Sequence, residues 1–226
     1  MKHIVIGFGE VGQAIQSVFG CCPFVDINHK SKTVESEWVH NKVEGIMHVC
    51  IPFSDYFNAT VIGYQLTFKP AYTVIHSTVP VGTCRPLNAI HSPIRGLHPN
   101  LYEGVKTFVK FLGGEEASKV ADEFRRHGLK IMLFDKQETT ELGKLLDTEY
   151  YRACIEFALR SKELCNKHGV PYSEAYTLFN MTYNEGYTKL NHPEYVRPVL
   201  EAIMKPISGH CVMPNKELLE KSNDNG

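Results

Sequence analysis

Gly7, Gly9 and Gly12, together with a carboxylate at Asp26, are the residues whose types and spacing point most directly to chemistry, and that chemistry is anion binding. In His3-Ile-Val-Ile-Gly-Phe-Gly-Glu-Val-Gly12 an apolar, β-branched run enters a glycine-punctuated turn and then a helix. Gly7 supplies the tight turn, Gly9 lets a pyrophosphate approach bare backbone, and Gly12 lets the helix pack closely on the strand. Phe8, Glu10 and Val11 supply the backbone between them. The free N–H groups and positive dipole end of the helix favour an anion without any charged side chain. Pro23-Phe-Val-Asp26 reads as a second strand ending in an acid. Asp26 is placed to accept the hydroxyls of an adenosine ribose and to repel a 2′-phosphate, so the pattern predicts NAD in preference to NADP. Lys30 lies close enough to act in the opposite sense.

These residues need a sheet to hold them, and the chain reads as alternating strands and helices. Gly45 to Ile51 is a continuous apolar run stopped by Pro52, the pattern of a central parallel strand buried on both faces. His48 within it reads as a core histidine. Ser54 to Leu66 has helical spacing, Tyr72 to His76 is the next strand, and Ser77-Thr-Val-Pro-Val-Gly-Thr83 follows it with hydroxyls and turn formers. Ligands of open parallel sheets bind at the carboxyl ends of the strands, so Cys50, Ile51 and Pro52 with Ser77 and Thr78 are expected to face the cofactor. Ile90 to Leu101 and Thr107 to Leu112 read as two further strands around an irregular turn. A helix over 115–127 stopped by Gly128 and a last strand over 129–134 complete the sheet. From Thr139 or Thr140 to His168 the chain reads as one helix, ended by Gly169 and Pro171. Its apolar stripe, widened by Ile155, Ala158 and Leu159, is broader than one neighbour covers. Ser173 opens another helix to about Lys189, a further one follows His192, and 222–226 reads as a disordered tail. The fold expected is α/β: a Rossmann-type doubly wound parallel sheet over 1–136, then a helical dimerisation or substrate domain over 137–226 built on the long helix. A homodimer through 140–168 is the expected assembly.

Composition narrows the partners. The net charge of −1 carries no basic footprint for nucleic acid, and no run is long enough to span a membrane. The N-terminus enters a strand directly, with no signal-peptide pattern. Seven cysteines, odd in number and without CxxC spacing, argue against a disulfide framework and structural zinc. No metal site is expected, and a reducing cytoplasm fits. Of the thiols only Cys211, flanked by Gly209 and His210, has surroundings suited to reactivity.

In order along the chain, GFGEVG with Asp26, Cys50-Ile-Pro52, Ser77 to Thr83, Glu141-Leu-Gly-Lys144 with Leu-Leu-Asp-Thr-Glu-Tyr150, and Ser208-Gly-His-Cys211 with Pro214 resemble motifs of the UDP-glucose/GDP-mannose dehydrogenase family. The resemblance covers essentially the whole chain. It implies a small-molecule substrate, a nucleotide-sugar alcohol oxidised twice with two hydrides passed to NAD. It makes Cys211 the nucleophile of a thioester intermediate, Lys144 the cation steadying oxyanion charge, and Thr78 a residue that orients water or cofactor. Thr148 stands where the family has a helix asparagine, and Asn215 where it has an acid. The family's glutamate after the sixth strand falls on Ile94 or Asn100. The third, nucleotide-binding domain of such enzymes falls outside this chain. Two other readings share the cofactor. Gly96-Leu-His-Pro99 resembles the Gly-x-His-Pro turn of prephenate dehydrogenases, which suggests a hydroxyacid dehydrogenase, and a non-catalytic NAD-binding partner or redox sensor is the third.

Overall fold

The computed structural model describes residues 1–28, 44–202 and 212–224. The chain divides into two compact units, Met1–Leu145 with Leu218–Gly226, and Leu146–Glu217. The sequence places the division at 136; in the structure the first turns of the long helix count with the sheet, and the end of the chain returns to it.

In the first unit, β1 (Lys2–Ile6) leads through the glycine turn into α1 (Glu10–Val18) and β2 (Phe24–Val25). Then come β3 (Gly45–Val49), α2 (Phe57–Phe68), β4 (Tyr72–Ile75) and β5 (Ile90–His91). They are followed by α3 (Leu101–Thr107), β6 (Lys110–Gly113), α4 (Ala117–Arg126) and β7 (Ile131–Phe134). The strands form one sheet in the order β2-β1-β3-β4-β5-β6-β7. All pairs are parallel except β5 with β6, which meet antiparallel at His91 and Gly113, so the expected doubly wound parallel sheet is present with one antiparallel pair. The chain winds outward from β1 to β2 and then crosses to β3. The crevice between the carboxyl ends of β1 and β3 is therefore the topological switch point, where ligands of such sheets bind.

Side-chain alternation gives the sheet two apolar faces. Val5, Ile46, Val74 and Ile90 point into a cluster with Ala14, Ile15, Val18 and Phe19 of the α1 region and Val120, Ala121 and Phe124 of α4. Ile4, Ile6, Met47, Val49 and Ile75 point the other way, against Phe57, Val61 and Phe68 of α2. Strand β3 is buried at every position, as its unbroken apolar run requires.

The stretch from 90 to 112 departs from expectation. Pro93 stops β5 after two residues, and 101–107, which contains Thr107 of the expected next strand, is helical. A Cβ on Gly104 would stand 2.6 Å from the Cα of Gly96, so α3 seats on the 95–96 backbone only because both positions lack side chains.

The long helix α5 (Gln137–His168) begins within the first unit and continues into the second. There a π-helical turn (Ser173–Leu178) runs into α6 (Phe179–Lys189). The helix expected after His192 is a single 3₁₀ turn, Pro193–Tyr195. Pro193 starts that turn and Pro198 follows too closely for an α-helix to continue. A last helix, α7 (Val212–Asp224), takes in 222–224 of the stretch expected to be a disordered tail. Its end belongs to the first unit, where Ser222 Oγ accepts the Val81 N–H at 3.0 Å. Among the described residues no helix is long and apolar enough to cross a membrane, and the cysteines are unbridged. Lys30 and Cys211 lie outside the described residues.

Candidate functional site

The switch-point crevice is built by backbone first. Gly7 adopts φ +89°, a left-handed value that favours glycine, and a Cβ there would meet Ile51 Cγ2 at 2.8 Å and the Cys50 carbonyl oxygen at 2.9 Å. Gly12 sits against the Gly7 carbonyl. Gly9 is different: among the described residues nothing lies within 4 Å of where its Cβ would be, so bare backbone at the N-cap of α1 faces open space there. Among the described residues no side chain caps that helix. Phe8 stacks on Phe24 with centroids 3.7 Å apart, fixing the turn against β2, while Val11 packs on the sheet cluster.

Asp26, at the end of β2, accepts the Phe8 N–H on Oδ2 at 2.6 Å and the Asn28 N–H on Oδ1 at 2.7 Å. A carboxylate oxygen can accept more than one hydrogen bond. The acid therefore tethers the glycine turn while still offering acceptors to hydroxyls. Glu10 Oε2 pairs with His98 Nδ1 across the exposed entrance of α1. The histidine of the Gly-x-His-Pro turn is thus directed to the start of the first helix.

The second and third loops are joined to each other. Ser77 Oγ donates to the Ile51 carbonyl at 2.5 Å, tying the segment after β4 to the segment after β3. Pro52 is exposed on this rim and Thr78 half-buried beside Ser77. Glu141, fully buried in the first turns of α5, accepts the N–H of Gly82 at 2.7 Å and of Cys84 at 2.8 Å. Burial pushes this carboxyl above its ordinary range, while the donors around it pull the other way. Behind Ser77, buried His91 bonds the Ser77 carbonyl through Nε2 at 3.2 Å and Thr140 Oγ1 through Nδ1 at 2.9 Å. Burial holds His91 down to about 3, so it is a neutral ring donating from Nε2. A cavity of about 560 Å³ opens in front of the two loops, lined by Phe53, Asp55, Asn58, Pro80, Thr83 and Lys221 among others.

The structure therefore brings together Gly7, Gly9, Gly12, Asp26, Cys50, Ile51, Pro52, Ser77 and Thr78 within one unit. The Cys50 and Cys84 thiols are pushed up by burial, which removes them from thiolate chemistry at neutral pH. Lys144 is half-buried on α5 in the first unit, whereas Thr148 lies in the second. Asn215 Nδ2 donates to Thr148 Oγ1 at 3.2 Å, with both side chains buried. Two of the positions at which the sequence departs from the dehydrogenase pattern are thus bonded to each other. Sequence reading gave no role as anchors to Glu141 or His91. The Glu-x-x-Lys spacing flags the first, and nothing in the sequence flags the second.

No protein-family model matches the chain, and no curated protein matches its sequence. Solved structures match its fold. The UDP-D-ManNAc dehydrogenase of Pyrococcus horikoshii superposes with a TM-score of 0.74 at 17% identity, over 98% of this chain and 64% of its own. The 3-hydroxyisobutyrate dehydrogenase of Mycobacterium tuberculosis, solved with L-serine, gives 0.59 at 15%, over 96% of this chain and 79% of its own. The reductive aminase of Aspergillus terreus, in complex with NADPH and ethyl levulinate, gives 0.57 at 15%, over 84% and 75%. At these identities the likeness is one of fold, and the chain spans less than two thirds of the archaeal dehydrogenase.

Proposed function

We propose that this chain binds NAD on the Gly7–Gly12 turn and works as an NAD-dependent dehydrogenase of an alcohol, with a nucleotide-sugar alcohol as the favoured substrate class. The observation that carries the reading is the bare, uncapped N-terminus of α1 at the switch point, with open space over Gly9 and the Asp26 carboxylate at the end of the neighbouring strand. A pyrophosphate fits that backbone. Ribose hydroxyls fit a carboxylate at the position of Asp26, and the linked rim of Ile51 and Ser77 bounds the crevice on its far side.

Bound NAD supplies a hydride acceptor. What remains for the chain is to hold the alcohol, take its proton and steady the charge left on oxygen. A lysine ammonium is suited to the last task where water is excluded, and Lys144 is the candidate. Thr78, on the rim, is the residue to orient the cofactor or a water. Cys211 is the thiol that the motif assigns to holding the carbonyl carbon, since a thiolate is both nucleophile and leaving group. Asn215 cannot take a proton from water, and its amide is engaged with Thr148. Release of a thioester by hydrolysis should therefore be the slow half of the reaction.

A hydroxyacid substrate is the second reading. It is supported by coverage, since the chain spans 79% of the hydroxyisobutyrate dehydrogenase against 64% of the sugar dehydrogenase. The deciding experiment is calorimetric titration with NAD and NADP, followed by a screen for NADH formation over nucleotide sugars, sugar acids and small hydroxyacids. Tighter binding of NAD with turnover of a nucleotide sugar supports the proposal. Turnover only of hydroxyacids selects the second reading, and binding without turnover a non-catalytic role. No heat at millimolar NAD refutes all of them.

A further inference from the structure

A line of buried imidazoles crosses the sheet. His3 of β1, His48 of β3 and His76 just past β4 lie on the same sheet face, each displaced two residues along the strand relative to the one before, because Val5 pairs with His48 and His48 with Val74. His3 Nδ1 is 3.0 Å from His48 Nε2, His48 Nδ1 is 2.9 Å from His76 Nε2, and His76 Nδ1 is 2.9 Å from the Ser92 carbonyl oxygen. That last oxygen can only accept. His76 must therefore carry its proton on Nδ1, which makes its Nε2 an acceptor and forces His48, and in turn His3, into the same tautomer. The direction of the chain leaves a lone pair on His3 Nε2, and 3.1 Å away stands Glu123 Oε1, another acceptor. Two acceptors at that distance require a cation between them.

The surroundings supply a third donor atom. His127 Nε2 lies 3.5 Å from the same Glu123 oxygen, and the three ligand atoms all lie within 4.8 Å of one another. Glu123 belongs to the last turns of α4 and His127 is its C-cap, so the negative end of the helix dipole faces the site. In a tetrahedral site with bonds of roughly 2.0–2.1 Å, ligand atoms stand about 3.3 Å apart. Two of the three edges are thus already near that length. His3 and Glu123 are buried, which disfavours an imidazolium, and Phe19 stacks on both His3 and His48, at 4.6 and 4.5 Å. Arg126 holds Glu123 Oε2 at 2.5 Å, and the Met1 amino group donates to Oε1 at 3.1 Å.

We propose that His3, Glu123 and His127 form a binding site for a divalent transition-metal ion of the zinc type, separate from the dinucleotide crevice at the other end of β1. His48 and His76 fix the tautomer of His3 as outer partners, as carbonyls and carboxylates do for other metal-bound histidines. The fourth position faces the Met1 side, where the ion displaces the amino group from Glu123 or takes it as a ligand. Such an ion would clamp α4 to the first strand.

The test uses the full chain stripped of metal and titrated with Zn²⁺, and with Co²⁺ as a spectroscopic probe. Expected are one ion per chain, a tetrahedral cobalt spectrum without a thiolate charge-transfer band, and a thermal midpoint raised by Zn²⁺. His127→Ala, at a partly exposed position, should keep the fold by circular dichroism and bind at least about tenfold more weakly. His127→Gln is the second variant, with the same expectation. Absence of binding, a thiolate band, or unchanged affinity in both variants would overturn the proposal and leave a proton as the cation between His3 and Glu123. NAD affinity is measured alongside and is expected to be the same in the variants, so failure of this site is distinguishable from failure of the cofactor site.

Discussion

A Cβ on Gly12 would lie 1.9 Å from the carbonyl oxygen of Gly7. No rotamer relieves that overlap, because both partners are backbone. Gly12→Ala must push α1 off β1, and overpacking of this kind costs about 1–3 kcal/mol. Gly9→Ala is the informative contrast, since its Cβ meets nothing within 4 Å among the described residues. We expect Gly12→Ala to lower both stability and NAD affinity, and Gly9→Ala to lose NAD affinity with an unchanged urea midpoint. Equal stability losses in the two would break the link between the open backbone and the ligand.

His91 makes stability depend on acid in a defined window. Its folded value of about 3 lies below the ordinary 6.5, so the neutral ring is favoured by folding. The contribution is fully present above pH 6.5 and is lost as pH falls towards 3, at about 1.4 kcal/mol per pH unit. His91→Gln should remove that share of the slope, read as the difference between the two urea-unfolding profiles at stepped pH. Parallel profiles would show that His91 does not titrate on unfolding.

On α5, Leu146, Tyr150, Phe157 and Leu164 are each at least half exposed, and with exposed Ala153 they follow at intervals of four, three, four and seven residues. Spacing of this kind forms a continuous seam for a second helix. A homodimer through this face is our expectation. Light scattering at tens of micromolar should give twice 25.6 kDa for the parent and 25.6 kDa for Phe157→Glu with Leu164→Glu. A monomeric parent would rule the interface out.

Cys211 should be the fastest thiol to alkylate below pH 7, because Cys50 and Cys84 are held as thiols by burial. Peptide mapping after iodoacetamide treatment measures this directly. Cys211→Ala should abolish turnover and leave NAD binding intact. Labelling no faster than Cys84, with activity retained in the variant, would remove the nucleophile from the mechanism.

Local pattern carried much of this structure. The Gly7, Gly9 and Gly12 spacing and the unbroken apolar run of β3 were readable because each follows from one element's own geometry. The 90–112 stretch was not, because α3 depends on Gly96 meeting Gly104, a contact between separate segments. The reversal of β6 was hidden for the same reason, since strand direction leaves no periodic mark. The acid at Asp26 was legible, but its bond to the Phe8 N–H was not. The bond between Thr148 and Asn215 and the convergence of His3 with Glu123 join positions far apart in sequence, where no spacing rule operates.

Strand β7 closes one edge of the sheet, and that edge governs how the protein behaves at high concentration. Among the described residues no strand pairs with its outer side, and Met132 and Leu133 are exposed along it. A four-residue apolar edge of this kind is a template on which other chains can add as strands. Lys130 before it and Asp135-Lys136 after it are charges of the sort that keep such a segment from stacking. Neutralising Lys130, Asp135 and Lys136 together should therefore increase self-association of the chain through β7.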